Sequence, residues 1–150
     1  MQPKRVLFVC IGNACRSQMA EAFARAYGSD VIIAASAGLA PAMNVAPTTK
    51  KIMAEKSLDL RDHFPKAIRH LARAQFDLVV NMSGLELPVE LASRTEVIEW
   101  DVDDPVFMEH DEHCAVRDQI ERLVMELILT LRQQSQAQRF KGQGSGRLEV

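Results

Sequence analysis

The apolar run VLFV at residues 6–9 ends on Cys10, and a Gly-bearing turn then leads through Arg16 and Ser17 into a helical pattern that lasts to Tyr27. A run without apolar–polar alternation suits a strand covered on both faces, as in the centre of a parallel sheet. Strand, tight loop and helix in immediate succession open an α/β unit. The loop also carries chemistry. Cys10 and Arg16 have five residues between them, in the pattern C-x5-R-S. If the loop wraps around the N-terminus of the following helix, its backbone N–H groups are unpaired and face inward, a ring that suits an oxyanion such as phosphate. A guanidinium adds a two-point clamp on that anion. A thiol at the floor of the ring sits where the amides, the helix end and the arginine favour the thiolate, the nucleophilic form. Ile11, Gly12, Asn13, Ala14, Cys15 and Ser17 complete this loop. The nucleotide loop GxxxxGK[ST] and the dinucleotide fingerprint GxGxxG are both absent.

Beyond the loop, strands and helices alternate. Strand one covers 5–9 and helix one 17–27, with Met19, Ala20, Phe23, Ala24 and Tyr27 at helical spacing and Gly28 as the stop. Strand two covers 31–36, and 37–45 is a loop. Pro47 suits the first turn of a helix running to about residue 56. Residues 58–65 are irregular, 66–73 form a short helix, 76–81 strand three, and 83–88 a turn-rich stretch. Strand four covers 96–100, and the acidic loop 101–105 follows. The last helix spans 111–132, with Val116, Ile120, Leu123, Leu127 and Leu131 as its apolar stripe. The alternation predicts an α/β fold with a parallel sheet covered on both faces. Residues 133–150 are polar and Gly-rich without periodicity and read as a flexible polar tail, so the catalytic domain is expected over 1–132.

A chain of 150 residues is long enough for one domain with a sizeable core. The formal net charge of −2 implies no bulk attraction to nucleic acid. No apolar run has membrane-spanning length, and the N-terminal apolar stretch is too short for a signal peptide. Three cysteines, an odd count, fit a reducing cytoplasm better than a disulfide-stapled fold, with Cys10 and Cys15 close enough to interact if oxidised.

In such sheets, ligands bind at the carboxyl ends of the strands. Cys10, Ser36, the stretch 81–83 and the run WDVDDP all fall at expected strand ends. A thiolate that displaces phosphate from an ester needs an acid to protonate the departing oxygen. Asp104 is the candidate, because Pro105 restrains the local backbone, and Asp101 and Asp103 are substitutes. The same carboxylate can then activate water to hydrolyse the thiophosphate. His110 and His113, with Glu109 and Cys114, lack a metal-ligand spacing and read as a solvated helix face, so no metal is expected.

VCIGNACRS near the N-terminus and the late Asp-Pro pair resemble the signature loop and the acid loop of the low-molecular-weight protein tyrosine phosphatase superfamily, which also contains arsenate reductases. The resemblance runs from Arg5 to about Leu131. It implies a single-domain three-layer fold with a central four-stranded parallel sheet and helices on both faces. It implies a phosphocysteine mechanism with Cys10 as nucleophile, Arg16 as clamp and Asp104 as general acid, and no cofactor. Ser17 resembles the hydroxyl that supports the thiolate. Asn13 resembles an asparagine whose strained backbone shapes the loop, and Ser36 and His63 resemble the partners that hold that asparagine. Independently of the family, Ser17 is placed to cap helix one, and asparagine tolerates left-handed backbone angles.

The runs LDLRDH and WDVDDP resemble the bacterial and archaeal branch shared with arsenate reductases. Family phosphatases flank an aryl substrate with aromatics after the acid–proline pair, where this chain has Val106 and Phe107, so Phe107 supplies one wall of the substrate rim. Thioredoxin-coupled arsenate reductases use two further cysteines after strand three, where this chain has none, and Cys114 falls inside the last helix. The sequence reading is therefore phosphomonoester hydrolysis, of protein phosphotyrosine, with a phosphorylated protein or small phosphate ester as partner and phosphate or another oxyanion as inhibitor. Arsenate reduction with an external thiol is the alternative. A non-catalytic phosphate or phosphopeptide binder is a third, disfavoured because a binder has no use for a thiolate and an acid.

Overall fold

The computed structural model describes residues 2–71 and 74–148, with side chains through Lys141. In chain order it contains β1 (Lys4–Cys10), α1 (Arg16–Tyr27), β2 (Ile32–Gly38), α2 (Pro47–Ala54), a 3-10 turn (Ile68–Leu71), β3 (Leu78–Asn81), α3 (Val89–Ala92), β4 (Glu96–Glu99) and α4 (His110–Leu148). The four strands form one parallel sheet in the order β2-β1-β3-β4. β1 lies between two neighbours, which explains its unbroken apolar run. Val6 and Phe8 point to one face and Leu7 and Val9 to the other, and all four are fully buried.

The first face carries the larger core, in which Phe8 clusters with Met19 and Phe23 of α1, Ile52 of α2 and Ile120, Val124 and Ile128 of α4. The second face is covered more thinly. Leu7, Val9, Ala37 and Val79 pack under Leu91 of α3 and Ile68 and Leu71 of the 3-10 turn. Helices therefore flank both faces, as expected. From β1 the chain goes to one side for β2 and to the other for β3. That reversal of strand order leaves a crevice at the carboxyl ends of β1 and β3, where α/β sheets bind ligands.

Several expectations are corrected by the packing. The short helix expected over 66–73 is one 3-10 turn over Ile68–Leu71, and the end of that expectation, residues 72–73, lies outside the described residues. The turn-rich stretch is followed by a one-turn helix, α3, entered from Pro88, which the sequence pattern is too short to reveal. The apolar row of α4 is rotated from the expected stripe. Val116, Ile120, Val124 and Ile128 form its buried i, i+4 row, while of the expected stripe Leu131 is buried but Leu123 and Leu127 are only partly buried. α4 also does not stop at Arg132. Gln, Ala, Arg and Lys dominate residues 133–141 with no proline, so helix propensity carries the backbone on. Tertiary anchors assist: Arg132 pairs with Asp30 at 2.9 Å and donates to the Tyr27 carbonyl, and Ser135 is buried. The flexible tail expected over 133–150 is thus helical through Leu148, and residues 149–150 lie outside the described residues. Among the described residues, no helix is long and apolar enough to cross a membrane.

Candidate active site

Cys10 is the last residue of β1, and its loop closes directly on α1. The loop carbonyls are tied outward. Those of Cys10, Ile11, Gly12 and Ala14 accept hydrogen bonds from the N–H groups of Leu39, Ala40, Ala42 and Ala46, at 2.9–3.2 Å. The N–H groups of residues 11–15 donate to no protein acceptor among the described residues. A loop with its acceptors occupied and its donors free, at the positive end of a helix, is built for an oxyanion. Asn13 makes the turn with φ of 51°, in the left-handed region that asparagine tolerates.

A chain of hydrogen bonds runs from Asn13 to the sulfur. Asn13 Nδ2 donates to Ser17 Oγ at 2.7 Å, and Ser17 Oγ lies 2.9 Å from Cys10 Sγ. Because the hydroxyl oxygen already accepts from the amide, its proton is free to point at the sulfur. Ser17 is the second residue of α1, whose N-cap is Cys15, and the cap makes no side-chain hydrogen bond. The expected capping role of Ser17 is therefore not taken, because its hydroxyl is spent between Asn13 and Cys10.

Arg16 is almost fully buried. Its Nη1 donates to the carbonyls of Met82, just after β3, and Val102, after β4, the latter at 3.0 Å. Its Nη2 lies 3.5 Å from Asp104 Oδ2. Asp104 stays partly exposed at the mouth, with Oδ1 accepting from the Val106 N–H at 3.2 Å in a tight turn. The structure thus brings Cys10, Arg16 and Asp104 around one crevice. A cleft beside Arg16, lined by Ser83, Asp101, Val102, Asp103 and Asp104 among others, has a volume of about 400 Å³.

The supporting residues are arranged differently from the expectation. Among the described residues, neither Ser36 nor His63 is hydrogen-bonded to Asn13. Ser36 Oγ donates to Glu21 Oε1 at 2.8 Å, because the buried Glu21 carboxylate needs a donor there. His63 Nδ1 sits 2.9 Å from Gln18 Oε1. The direct partners of Asn13 are Ser17, the Lys66 backbone N–H at 2.9 Å and Gln18, whose Nε2 donates to both the Oδ1 and the carbonyl of Asn13 at 3.1 Å. Since the Gln18 amide nitrogen donates there, its oxygen accepts, and His63 carries its proton on Nδ1. Desolvation pushes the His63 pKa down, with the Glu21 carboxylate, 3.6 Å from Nδ1, opposing. Gln18, Glu21 and Lys66 were missed in the sequence. The first two had a signal in their spacing, since Ser17, Gln18 and Glu21 fall on one face of the expected helix. Lys66 acts through its backbone and had none.

Behind the loop, Cys15 is buried against Thr49, and burial pushes its thiol up to about 11. Thr49 Oγ1 is in turn 2.8 Å from His113 Nε2. His113 is 1% exposed, so it does not belong to the solvated face expected for it, and its Nδ1 has no hydrogen-bond partner among the described residues. α4 turns His113 inward and leaves its neighbour His110 outward. Phe107 is 96% exposed in the turn after Pro105 and makes no ring contact among the described residues. Cys114 stands apart from the loop, beside Glu55 and His110.

The family model for low molecular weight phosphotyrosine protein phosphatase matches residues 5–137. The chain is similar to the glutaredoxin arsenate reductase of Synechocystis sp., with 33% identity over 127 residues, 83% of this chain and 96% of the relative. Among solved structures it resembles an arsenate reductase in the phosphate-binding state, at 32% identity and a TM-score of 0.77, covering 85% of this chain and 98% of that one. It also resembles the YwlE arginine phosphatase from Geobacillus stearothermophilus, at 25% identity and a TM-score of 0.77, covering 90% and 97%.

Proposed function

Since the chain belongs to the low molecular weight phosphotyrosine protein phosphatase family and is a cysteine-dependent enzyme of that superfamily, we propose that it reduces arsenate with electrons from an external thiol. The observation that carries this reading is the oxyanion cradle around Cys10 in a chain whose relatives at about a third identity include arsenate reductases. Arsenate and phosphate have the same shape and charge, so the cradle by itself serves either. Phosphotyrosine hydrolysis, the leading sequence reading, gives way because the relatives favour the reductase.

In the proposed cycle the unpaired loop amides, with Nε and Nη2 of Arg16, hold the arsenate. The Cys10 thiolate attacks arsenic; an S–As bond forms, an As–O bond breaks, and the oxygen leaves as water after taking a proton from Asp104. A thiolate then attacks the Cys10 sulfur. An S–S bond forms, the S–As pair passes to arsenic, and As(V) leaves as arsenite. A second thiolate resolves the mixed disulfide and frees Cys10. In sum, arsenate and two thiols give arsenite, one disulfide and water. Cys15 is badly placed to supply the attacking thiolate, because burial against Thr49 keeps it protonated at neutral pH. The thiols therefore come from outside the chain. The Synechocystis relative's name points to glutaredoxin as a partner of the same kind.

The test measures arsenite formed and thiol consumed with glutathione and glutaredoxin, beside p-nitrophenyl phosphate hydrolysis. The proposal expects two thiols consumed per arsenite, loss of turnover in Cys10→Ser and retained turnover in Cys15→Ser. Hydrolysis of the phosphate ester without arsenate-dependent thiol consumption would overturn it. The carboxylate of Asp104, 3.5 Å from Arg16, serves either reaction, because both need a proton for a departing oxygen.

A further inference from the structure

Away from the Cys10 crevice, α2 and α4 bring together a second set of reactive side chains. Glu55 is the C-cap of α2, and His110 and Cys114 stand one turn apart at the start of α4. One donor atom from each lies within 4.8 Å of the others. His110 Nε2 is 2.9 and 3.1 Å from the two Glu55 oxygens. Cys114 Sγ is 3.7 Å from His110 Nε2 and 4.0 Å from Glu55 Oε1. We propose that Glu55, His110 and Cys114 form a binding site for a zinc-class divalent cation, with a water in the fourth position.

The spacing matches the chemistry. With Zn–S near 2.3 Å and Zn–N and Zn–O near 2.0–2.1 Å, the edges of a tetrahedron are roughly 3.3 Å for N···O and roughly 3.5 Å for S···N and S···O. Each observed edge lies within about half an ångström of these values, but Cys114 Sγ is also 3.9 Å from His110 Nδ1, so the thiol must swing toward the Nε2 side to complete the tetrahedron, a rotation that a partly open surface allows without moving the helices. A thiolate, an imidazole and a carboxylate suit zinc or cobalt, whereas magnesium and calcium need shells made mostly of oxygen. An outer partner is also in place. Asp111 Oδ1 lies 3.0 Å from His110 Nδ1, the carboxylate–imidazole contact that holds the Nδ1 proton and presents Nε2 to a metal. Binding displaces two protons, one from Nε2 and one from the Cys114 thiol.

Arg117 is the competing cation, with Nη1 3.8 Å from Glu55 Oε1. It is held elsewhere by Asp118 at 2.8 Å and the Ile52 carbonyl at 3.0 Å, so it lowers the affinity without occupying the site. A bound ion would join the end of α2 to the first turn of α4, just past the turn that carries Asp104, and would shield the Cys114 thiol from alkylation and oxidation.

Cobalt(II) titration of the full chain tests this, in a Cys10→Ser background that removes the loop nucleophile as a rival ligand. The expected spectrum has tetrahedral ligand-field bands and a thiolate-to-cobalt charge-transfer band saturating at one equivalent, and zinc(II) abolishes both. Adding Cys114→Ser should remove the charge-transfer band, and His110→Ala or Glu55→Gln should each weaken binding at least tenfold. Zinc should raise the Tm of the parent and leave that of Cys114→Ser unchanged. An octahedral cobalt spectrum without a charge-transfer band, or a band that survives Cys114→Ser, would overturn the site. The thermal shift makes the outcome independent of whether a variant binds cobalt visibly.

Discussion

Arg16 is fixed before any anion arrives. Its Nη1 is bound to the Met82 and Val102 carbonyls, so the guanidinium plane is set by the ends of two strands rather than by the ligand. A preorganised donor serves the transition state without reorganising during the reaction. Arg16→Lys keeps the charge but loses both the fork and the anchors. It should lower kcat/KM for arsenate by about two orders of magnitude or more, the scale of losing one major stabilising donor. Steady-state kinetics read this directly, and a Lys variant within threefold of the parent would show the clamp to be misassigned. The loop itself was legible because its parts are contiguous: Cys10, Asn13, Arg16 and Ser17 meet by following the chain. The residues that hold it were not. Lys66 comes from far along the sequence, His63 reaches Asn13 through Gln18, and Ser36 joins through Glu21, which lies 3.6 Å from His63.

At the scale of elements, two glycines separate site from scaffold. Gly38 ends β2 beneath the loop. A Cβ there would lie 2.7 Å from the Ile11 carbonyl oxygen and 2.9 Å from the Asn13 nitrogen, both backbone atoms that cannot swing aside. Gly28 ends α1, and a Cβ there would lie 2.5 Å from Ile128 Cγ1, the buried anchor of α4. Gly38→Ala should therefore displace the anion loop, lowering activity at least tenfold and weakening phosphate inhibition. Gly28→Ala should destabilise by about 1–3 kcal/mol, the usual cost of overpacking, while leaving activity per folded molecule intact. Tm and kcat measured on both variants check this. If both lose the same property, the loop is not braced by β2. The helix stop at Gly28 was readable from the sequence, but its reason was not, since Ile128 arrives one hundred residues later.

For the whole molecule, acid sensitivity follows from two histidines. Burial lowers the pKa of both His113 and His63 below the ordinary value near 6.5. Between the folded and unfolded values the unfolded chain binds more protons, so stability rises with pH. Their contribution is complete above about pH 6.5 and is lost as the pH falls below that value. His110 has the opposite sign: the Glu55 and Asp111 carboxylates raise its pKa, so its contribution is present below the unfolded value and fades as the pH rises. It is exposed, and screening keeps its effect small. Tm should therefore fall from pH 7 to pH 5, and His113→Gln, which can still pair with Thr49, should flatten that limb. An unchanged acid slope in His113→Gln would assign the sensitivity to other groups.

The sequence alone determined the alternation of strands and helices, the strand–loop–helix turn that carries Cys10 and Arg16, and the Asp104–Pro105 pair. All of these are written in periodicity or in contiguous residues, where local backbone physics is enough. Only the tertiary structure decided that Asp104 stands over Arg16 and that Ser36 belongs to Glu21. It alone turned His113 inward and His110 outward on one helix, and carried that helix past Arg132. Each of these depends on which surface meets which, and on whether a polar group finds a partner once water is excluded. The pairing of Glu55 with His110 and Cys114 is of the same kind: two helix ends, distant in the chain, become neighbours when α2 and α4 pack on one face of the sheet.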